Sequence, residues 1–251
     1  MTNKLLEDAL NSVGQKSLSV SIPIYNEEAN LEKMVLECVN VLGDNSDILE
    51  LILINDFSTD ETDTIATRLE ENYEVVKYIR NEKNIGCHPS QIIGWEHASK
   101  NLLTMLPSDN QIPPENLISM VKEMKDCDLL WTKRVERQDN NFRILVSIFY
   151  NMFAKKLFRL QGNDVDSTVM IKKTLFSKIS DSIDSKSAFV QVQIGYLTEL
   201  NKGIQKEIGI THRTREQGKA RGINIRDLKW VPRELIKLYL KSRDIKNEKN
   251  N

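Results

Sequence analysis

Charge of one sign is what this chain lacks. Against 36 Asp and Glu stand 35 Lys and Arg, so its 251 residues carry a formal net charge of −1 at pH 7. No global field draws such a chain to nucleic acid or to an anionic surface, and any polyanion site must be local. Cysteine is scarce too. Cys38, Cys87 and Cys127 are odd in number and widely spaced, which argues against a disulfide framework or a zinc cluster and fits a reducing, cytoplasmic setting. Long hydrophobic runs are missing: no stretch reaches the roughly 18–20 apolar residues that cross a bilayer. Glu7 and Asp8 stand where a signal peptide would carry its apolar core. The expectation is a single soluble or peripheral domain, since 40% hydrophobic content at this length suffices for one substantial core.

What is present is an alternation of strand and helix patterns. Leu18 to Ile24 (LSVSIPI) reads as a buried strand, and Glu27 to Leu42 then shows helical spacing at Leu31, Met34, Val35, Cys38 and Val39. Leu49 to Ile54 is a second strand, after which Asp56, Ser58, Thr59 and Asp60 suit a turn and an N-cap before a helix over 61–72. Further strands are expected at 75–79, 102–106 and 128–132, with helices over 89–99 and from Pro113 to Lys125. Strands spaced by helices imply a Rossmann-like α/β fold, a mostly parallel central sheet flanked by helices, with ligands beyond the carboxyl ends of the strands. In the second half the spacing predicts a long helix over 142–160, a loop entering a strand from Asn163, and amphipathic helices over 190–202 and 227–242. The division is an N-terminal helical extension (1–16), the main domain (17–226) and a C-terminal amphipathic helix with a polar tail (227–251).

The loops after Ile24, Ile54 and Leu106 carry the chemistry. Tyr25, Asn26, Glu27 and Glu28 leave the first strand, and Asp56 to Asp60 leave the second. An aromatic ring and carboxylates there suit a base and ribose, although each loop by itself is also what helix capping would look like. In the third loop Asp109 and Gln111 are two residues apart and point to one side of an extended segment. One carboxylate and one amide oxygen, completed by waters and a diphosphate, suffice for Mg²⁺ or Mn²⁺. On the expected helix over 142–160, Arg143, Ser147 and Asn151 recur every four residues and share one side.

These segments resemble, in order, the motifs of the family 2 glycosyltransferases of GT-A fold, and within them the polyprenyl-phosphate sugar synthases such as dolichol-phosphate mannose synthase. SIPIYNEEANL is similar to the family's opening strand and Y-N-E turn, LILINDFSTDET to its D-D-x-S-x-D-x-T segment, and NEKNIG to its R-N-x-N-x-G approach. LPSDNQIPPE is similar to D-x-D-x-Q-x-x-P-E, except that Pro107 replaces the first Asp. The resemblance implies that Pro23, Tyr25, Glu27 and Asp56 contact the nucleotide and that Asp109 and Gln111 hold a divalent cation, Mg or Mn. It implies phosphate-binding roles for Arg134, Arg143 and Ser147. Arg215 and Lys219 lie in a loop similar to R-x-x-G-x-S-K but without its Ser. Asp164, Asp109 and Arg143 become the catalytic residues, with Asp166 as a rival to Asp164.

The implied activity is sugar transfer from a UDP- or GDP-sugar to a polyprenyl phosphate at the cytoplasmic membrane face, with peripheral membrane contact and no nucleic-acid partner. Two alternatives stand beside it. One is a soluble enzyme glycosylating a saccharide hydroxyl with Asp164 or Asp166 as base. The other is a nucleotide-binding protein without transfer activity, suggested by Pro107.

Overall fold

The structure, a computed structural model, describes residues 4–135 and 151–213, apart from 153, 166, 186 and 188. Seven strands form one sheet in the order β3-β2-β1-β4-β6-β5-β7. They are β1 (Leu18–Ile24), β2 (Leu49–Asn55), β3 (Val76–Arg80), β4 (Leu102–Met105), β5 (Leu129–Arg134), β6 (Val169–Lys172) and β7 (Gln205–Ile210). All neighbours are parallel except β6, which runs antiparallel to both β4 and β5. The helices are α1 (Lys4–Ser12), α2 (Leu31–Leu42), α3 (Thr62–Asn72), α4 (Cys87–His97), α5 (Glu115–Glu123), α6 (Lys173–Ile179) and α7 (Phe189–Leu200). Residues 151–152 and 154–158 are also helical, and this helix stops before Arg159 (φ 56°) rather than running to 160; residues 142–150 and 153 of the expected helix, and the whole of that over 227–242, lie outside the described residues.

Strand alternation sorts the core onto two faces. Leu18, Val20, Ile22, Ile24, Leu49, Leu51 and Leu53 point into one apolar cluster with α1, α2, α3 and α5. Ile52 and Ile54 point the other way, into a cluster with Trp95 of α4, Trp131 of β5 and the apolar residues of α6 and α7. On that second face β1 presents Ser19, Ser21 and Pro23. These small side chains let α4 lie very close: a Cβ on Gly94 would stand 2.1 Å from Ser21 Oγ.

Pro23 is tolerated in this central strand for a geometric reason. Ser21 and Pro23 direct their backbone groups towards β4, where the Leu106 amide reaches the Ser21 carbonyl at 3.0 Å. The β1–β4 register ends at Ser21 and Met105, so the N–H that proline lacks falls beyond the paired region.

Three features depart from the sequence reading. The helix expected from Glu27 begins at Leu31, because residues 28–30 form a turn in which the Asn30 amide bonds the Glu27 carbonyl at 3.0 Å. Neither α6 nor β7 was anticipated, and the antiparallel sense of β6 carries no signal in its own residues.

Candidate active site

Parallel strands put the loops after β1, β2 and β4 side by side at one edge of the sheet, and each loop contains a residue in the left-handed region: Asn26 (φ 52°), Phe57 (φ 66°) and Asn110 (φ 58°). The first two loops are laced together. The Asn26 amide donates to Ser58 Oγ at 2.9 Å, Asn26 Oδ1 accepts from the Thr59 amide at 2.9 Å, and the Glu27 amide donates to Thr62 Oγ1 at 2.9 Å. Glu28 Oε2 caps the Glu61 amide at 3.0 Å. The turn residues are therefore cross-loop connectors, which was not legible from either loop alone.

Asp56 is buried, and its carboxylate is occupied by the chain that follows β3. Oδ1 accepts from Asn81 Nδ2 at 3.0 Å and the Ile85 amide at 2.8 Å, and Oδ2 from the Gly86 amide at 2.7 Å. The NEKNIG segment is thus anchored to the second loop, and Asn81, which also donates to Ser90 Oγ at 3.0 Å, ties that loop to α4. Glu27 is buried and accepts from Asn30 Nδ2 at 2.9 Å; Pro23 is buried and Tyr25 half-buried. At the outer edge the Tyr78 hydroxyl donates to Asp63. Burial and that carboxylate push the Tyr78 phenol up to about 12, while the bonds from Tyr78 and Arg80 hold Asp63 below its ordinary value.

The third loop leaves β4 with Pro107 half-buried and Asp109 and Gln111 partly exposed. Asp109 Oδ1 accepts from the Gln111 amide at 3.2 Å across a turn at residues 108–110, so the two residues do not lie on the extended segment expected from their spacing. The Gln111 carbonyl receives the Arg213 amide at 2.8 Å, so the chain leaving β7 lies against this loop. Arg213 is held there by Glu37 at 2.6 Å. Among the described residues no cluster of three or more His, Cys, Asp or Glu offers a self-sufficient metal cage. A carboxylate and an amide oxygen beside a diphosphate do fit a hard divalent cation, which keeps waters and substrate oxygens in its shell.

Because β6 is antiparallel, its entry reaches the same edge. Asp164, 4% exposed, receives Arg134 from the end of β5 in a two-pronged pair: Nε to Oδ2 at 2.8 Å and Nη2 to Oδ1 at 2.9 Å. Two residues predicted separately, one for phosphate and one for catalysis, are here each other's partners. Arg143, Ser147, Asp166, Arg215 and Lys219 lie outside the described residues. A shallow pocket lined by Gln15, Asn101, Lys172 and Lys173 opens at the opposite edge of the sheet, remote from these loops.

Residues 19–188 match the profile of Glycosyl transferase family 2, and the chain belongs to that family. The curated relatives it matches include undecaprenyl-phosphate 4-deoxy-4-formamido-L-arabinose transferases of Shewanella sediminis, 29% identical over 210 residues, and of Photorhabdus laumondii, 28% identical over 206 residues. Each alignment covers 81% of this chain but only 61% and 62% of the respective relative, so the chain spans about three fifths of their length. Among solved structures, Mycobacterium tuberculosis glucosyl-3-phosphoglycerate synthase in complex with Mn²⁺, UDP and phosphoglyceric acid has a TM-score of 0.66 at 17% identity, over 95% of this chain and 82% of that one. S. aureus TarS in complex with UDP-GlcNAc has a TM-score of 0.59 at 16% identity, over 87% of this chain and 65% of that one. The fold is the GT-A fold of glycosyltransferases. Among the described residues no helix is long and apolar enough to cross a membrane.

Proposed function

We propose that the chain transfers a sugar from a UDP- or GDP-sugar to a polyprenyl phosphate at the cytoplasmic membrane face. The laced loops after β1 and β2 receive the nucleotide through Pro23, Tyr25, Glu27 and Asp56. Asp109 and Gln111 would hold a Mg or Mn ion, which supplies charge stabilisation to the departing diphosphate. Arg143 and Ser147, with Arg215 and Lys219 from the segment that follows Arg213, complete the phosphate-binding set, where arginine forks match phosphate oxygens. Arg134 faces the same edge and orients Asp164.

The observation that supports this acceptor best is the Arg134–Asp164 pair. Transfer to a saccharide hydroxyl requires a base that can reach the incoming hydroxyl, whereas this carboxylate is 4% exposed and held in a two-pronged pair by one guanidinium. A phosphate acceptor is already an anion. It needs positioning and neutralisation by fixed positive groups rather than deprotonation. The names of the relatives, which act on undecaprenyl phosphate, point the same way.

The test is incubation of the protein with radiolabelled UDP- and GDP-sugars, Mn²⁺ and undecaprenyl phosphate in detergent micelles. Label that enters the organic phase only when the lipid is present is the expected result. Label found only in water-soluble saccharide would overturn the lipid-phosphate acceptor.

A further inference from the structure

Phe57 follows Asp56 in the second loop, sits at φ 66° and is 44% exposed. A left-handed backbone is unfavourable for any L-residue with a Cβ and an outlier for a bulky one. The equivalent strained positions of the neighbouring loops hold asparagine, which tolerates them. A fold selected for stability alone would place Gly or Asn here, and an exposed ring adds little to the core.

The ring is backed by a braced cation. The Arg80 guanidinium lies 5.7 Å from the ring centroid, pairs with Asp63 at 2.6 Å and reaches the Ser58 carbonyl at 3.5 Å. Asp63 is fixed in turn by Asn55 Nδ2 at 3.3 Å and by the Tyr78 hydroxyl. Around this point the loops carry Glu28, Asp60 and Glu61, and Asp63 lies in the first turn of α3. That acidity disfavours an anionic lipid surface as the ring's partner and suits a flat, uncharged one. Asp56 has already committed three acceptor positions to the 81–86 segment, which leaves roughly one for the polar edge of the base and makes a second contact necessary to hold it. A ring face supplies that contact without drawing on the carboxylate.

We infer that Phe57, supported by Arg80, is the stacking platform for the base of the donor nucleotide. This rests on the nucleotide-sugar reading above and adds a specific residue to it. Stacking of a base on an aromatic side chain justifies an expected loss of about tenfold in affinity when the ring is removed, or about 1.4 kcal/mol.

The experiment is calorimetric titration of the full chain and of Phe57→Gly, Phe57→Asn and Phe57→Tyr with UDP, GDP and inorganic pyrophosphate in the presence of Mn²⁺. Gly and Asn should weaken the better nucleotide about tenfold, Tyr should stay within about twofold, and pyrophosphate, which has no base, should bind all four proteins alike. The melting temperature of Phe57→Gly should equal or exceed that of the parent, because the strain is relieved. Unchanged nucleotide affinity in Phe57→Gly, or equal losses for nucleotide and pyrophosphate, overturns the inference and leaves the transferase reading standing. Failure of the parent chain to bind either nucleotide overturns both. Loss of binding to phosphatidylglycerol and phosphatidylethanolamine vesicles at unchanged nucleotide affinity would assign the ring to a membrane instead.

Discussion

Replacing Asp164 by Asn separates a structural clamp from a catalytic base. The side chains of Asp164 and Arg134 are 5% and 18% exposed, so the pair is largely removed from water. Asn keeps the volume and one acceptor but turns an NH₂ towards the guanidinium, where one of the two bonds becomes a donor–donor contact. Complete loss of one partner from a buried pair costs about 3–5 kcal/mol. With one bond surviving, about 2–3 kcal/mol is expected for Asn. At roughly 2–4 °C per kcal/mol for a chain of this size, the melting temperature should fall by about 5–10 °C. The double variant Arg134→Met with Asp164→Leu, which removes both charges, should lose less than either single change, since no unpaired ion remains. Thermal unfolding followed by circular dichroism reads the stability. Lipid-linked transfer, assayed about 15 °C below each variant's own midpoint, reads the chemistry. Activity of Asp164→Asn under those conditions should fall by less than the hundredfold typical of a lost general base. A melting temperature within about 1 °C of the parent, combined with loss of transfer, would refute the clamp and restore Asp164 as the base.

Asp109→Asn preserves the acceptor for the Gln111 amide and should leave the fold intact while abolishing the Mn²⁺-dependent thermal stabilisation by UDP or GDP. That stabilisation is otherwise about 2.7 kcal/mol at a hundred times Kd, and transfer should fall at least about a hundredfold. A second test concerns Glu50, at the other end of β2 and 1% exposed. Burial raises its proton affinity, but bonds from Lys77, Ser19 and Ser99 outweigh that and hold it below its ordinary value of 4.5. The folded state therefore binds this proton more weakly than the unfolded chain, so its stabilisation is complete above about pH 4.5 and is lost as pH falls through the lower folded value. Urea midpoints should show Glu50→Gln weaker than the parent at neutral pH, with the gap closing in acid; a constant gap would contradict this. Gly94→Ala places a methyl 2.1 Å from Ser21 Oγ and should cost about 1–3 kcal/mol by overpacking. Ser21→Ala removes a buried hydroxyl without a hydrogen-bond partner, so by itself it should be neutral or stabilising and should relieve part of the Gly94→Ala defect.

The strands and helices of the first half were legible because burial there is written locally. Leu18, Val20, Ile22 and Ile24 alternate with Ser19, Ser21 and Pro23, and a period of two or of 3.6 is a property of neighbouring residues. The loops after β1, β2 and β4 were legible as well, since parallel strands joined by helices must bring their carboxyl ends to one edge. Direction and pairing were not. Nothing in Val169–Lys172 says that it enters the sheet antiparallel between β4 and β5, because a short apolar strand can hydrogen-bond in either sense. That choice depends on where the rest of the chain leaves room.

The same limit applies to the side chains of the site. Sequence sets which residues are acidic, basic or amidic, and hence what chemistry the edge can hold. Only the tertiary structure decides that Asp56 anchors residues 81–86 and that Arg134 closes on Asp164, 30 positions away. A carboxylate's role follows from which donors reach it, and those donors come from strands that meet only after the sheet has formed.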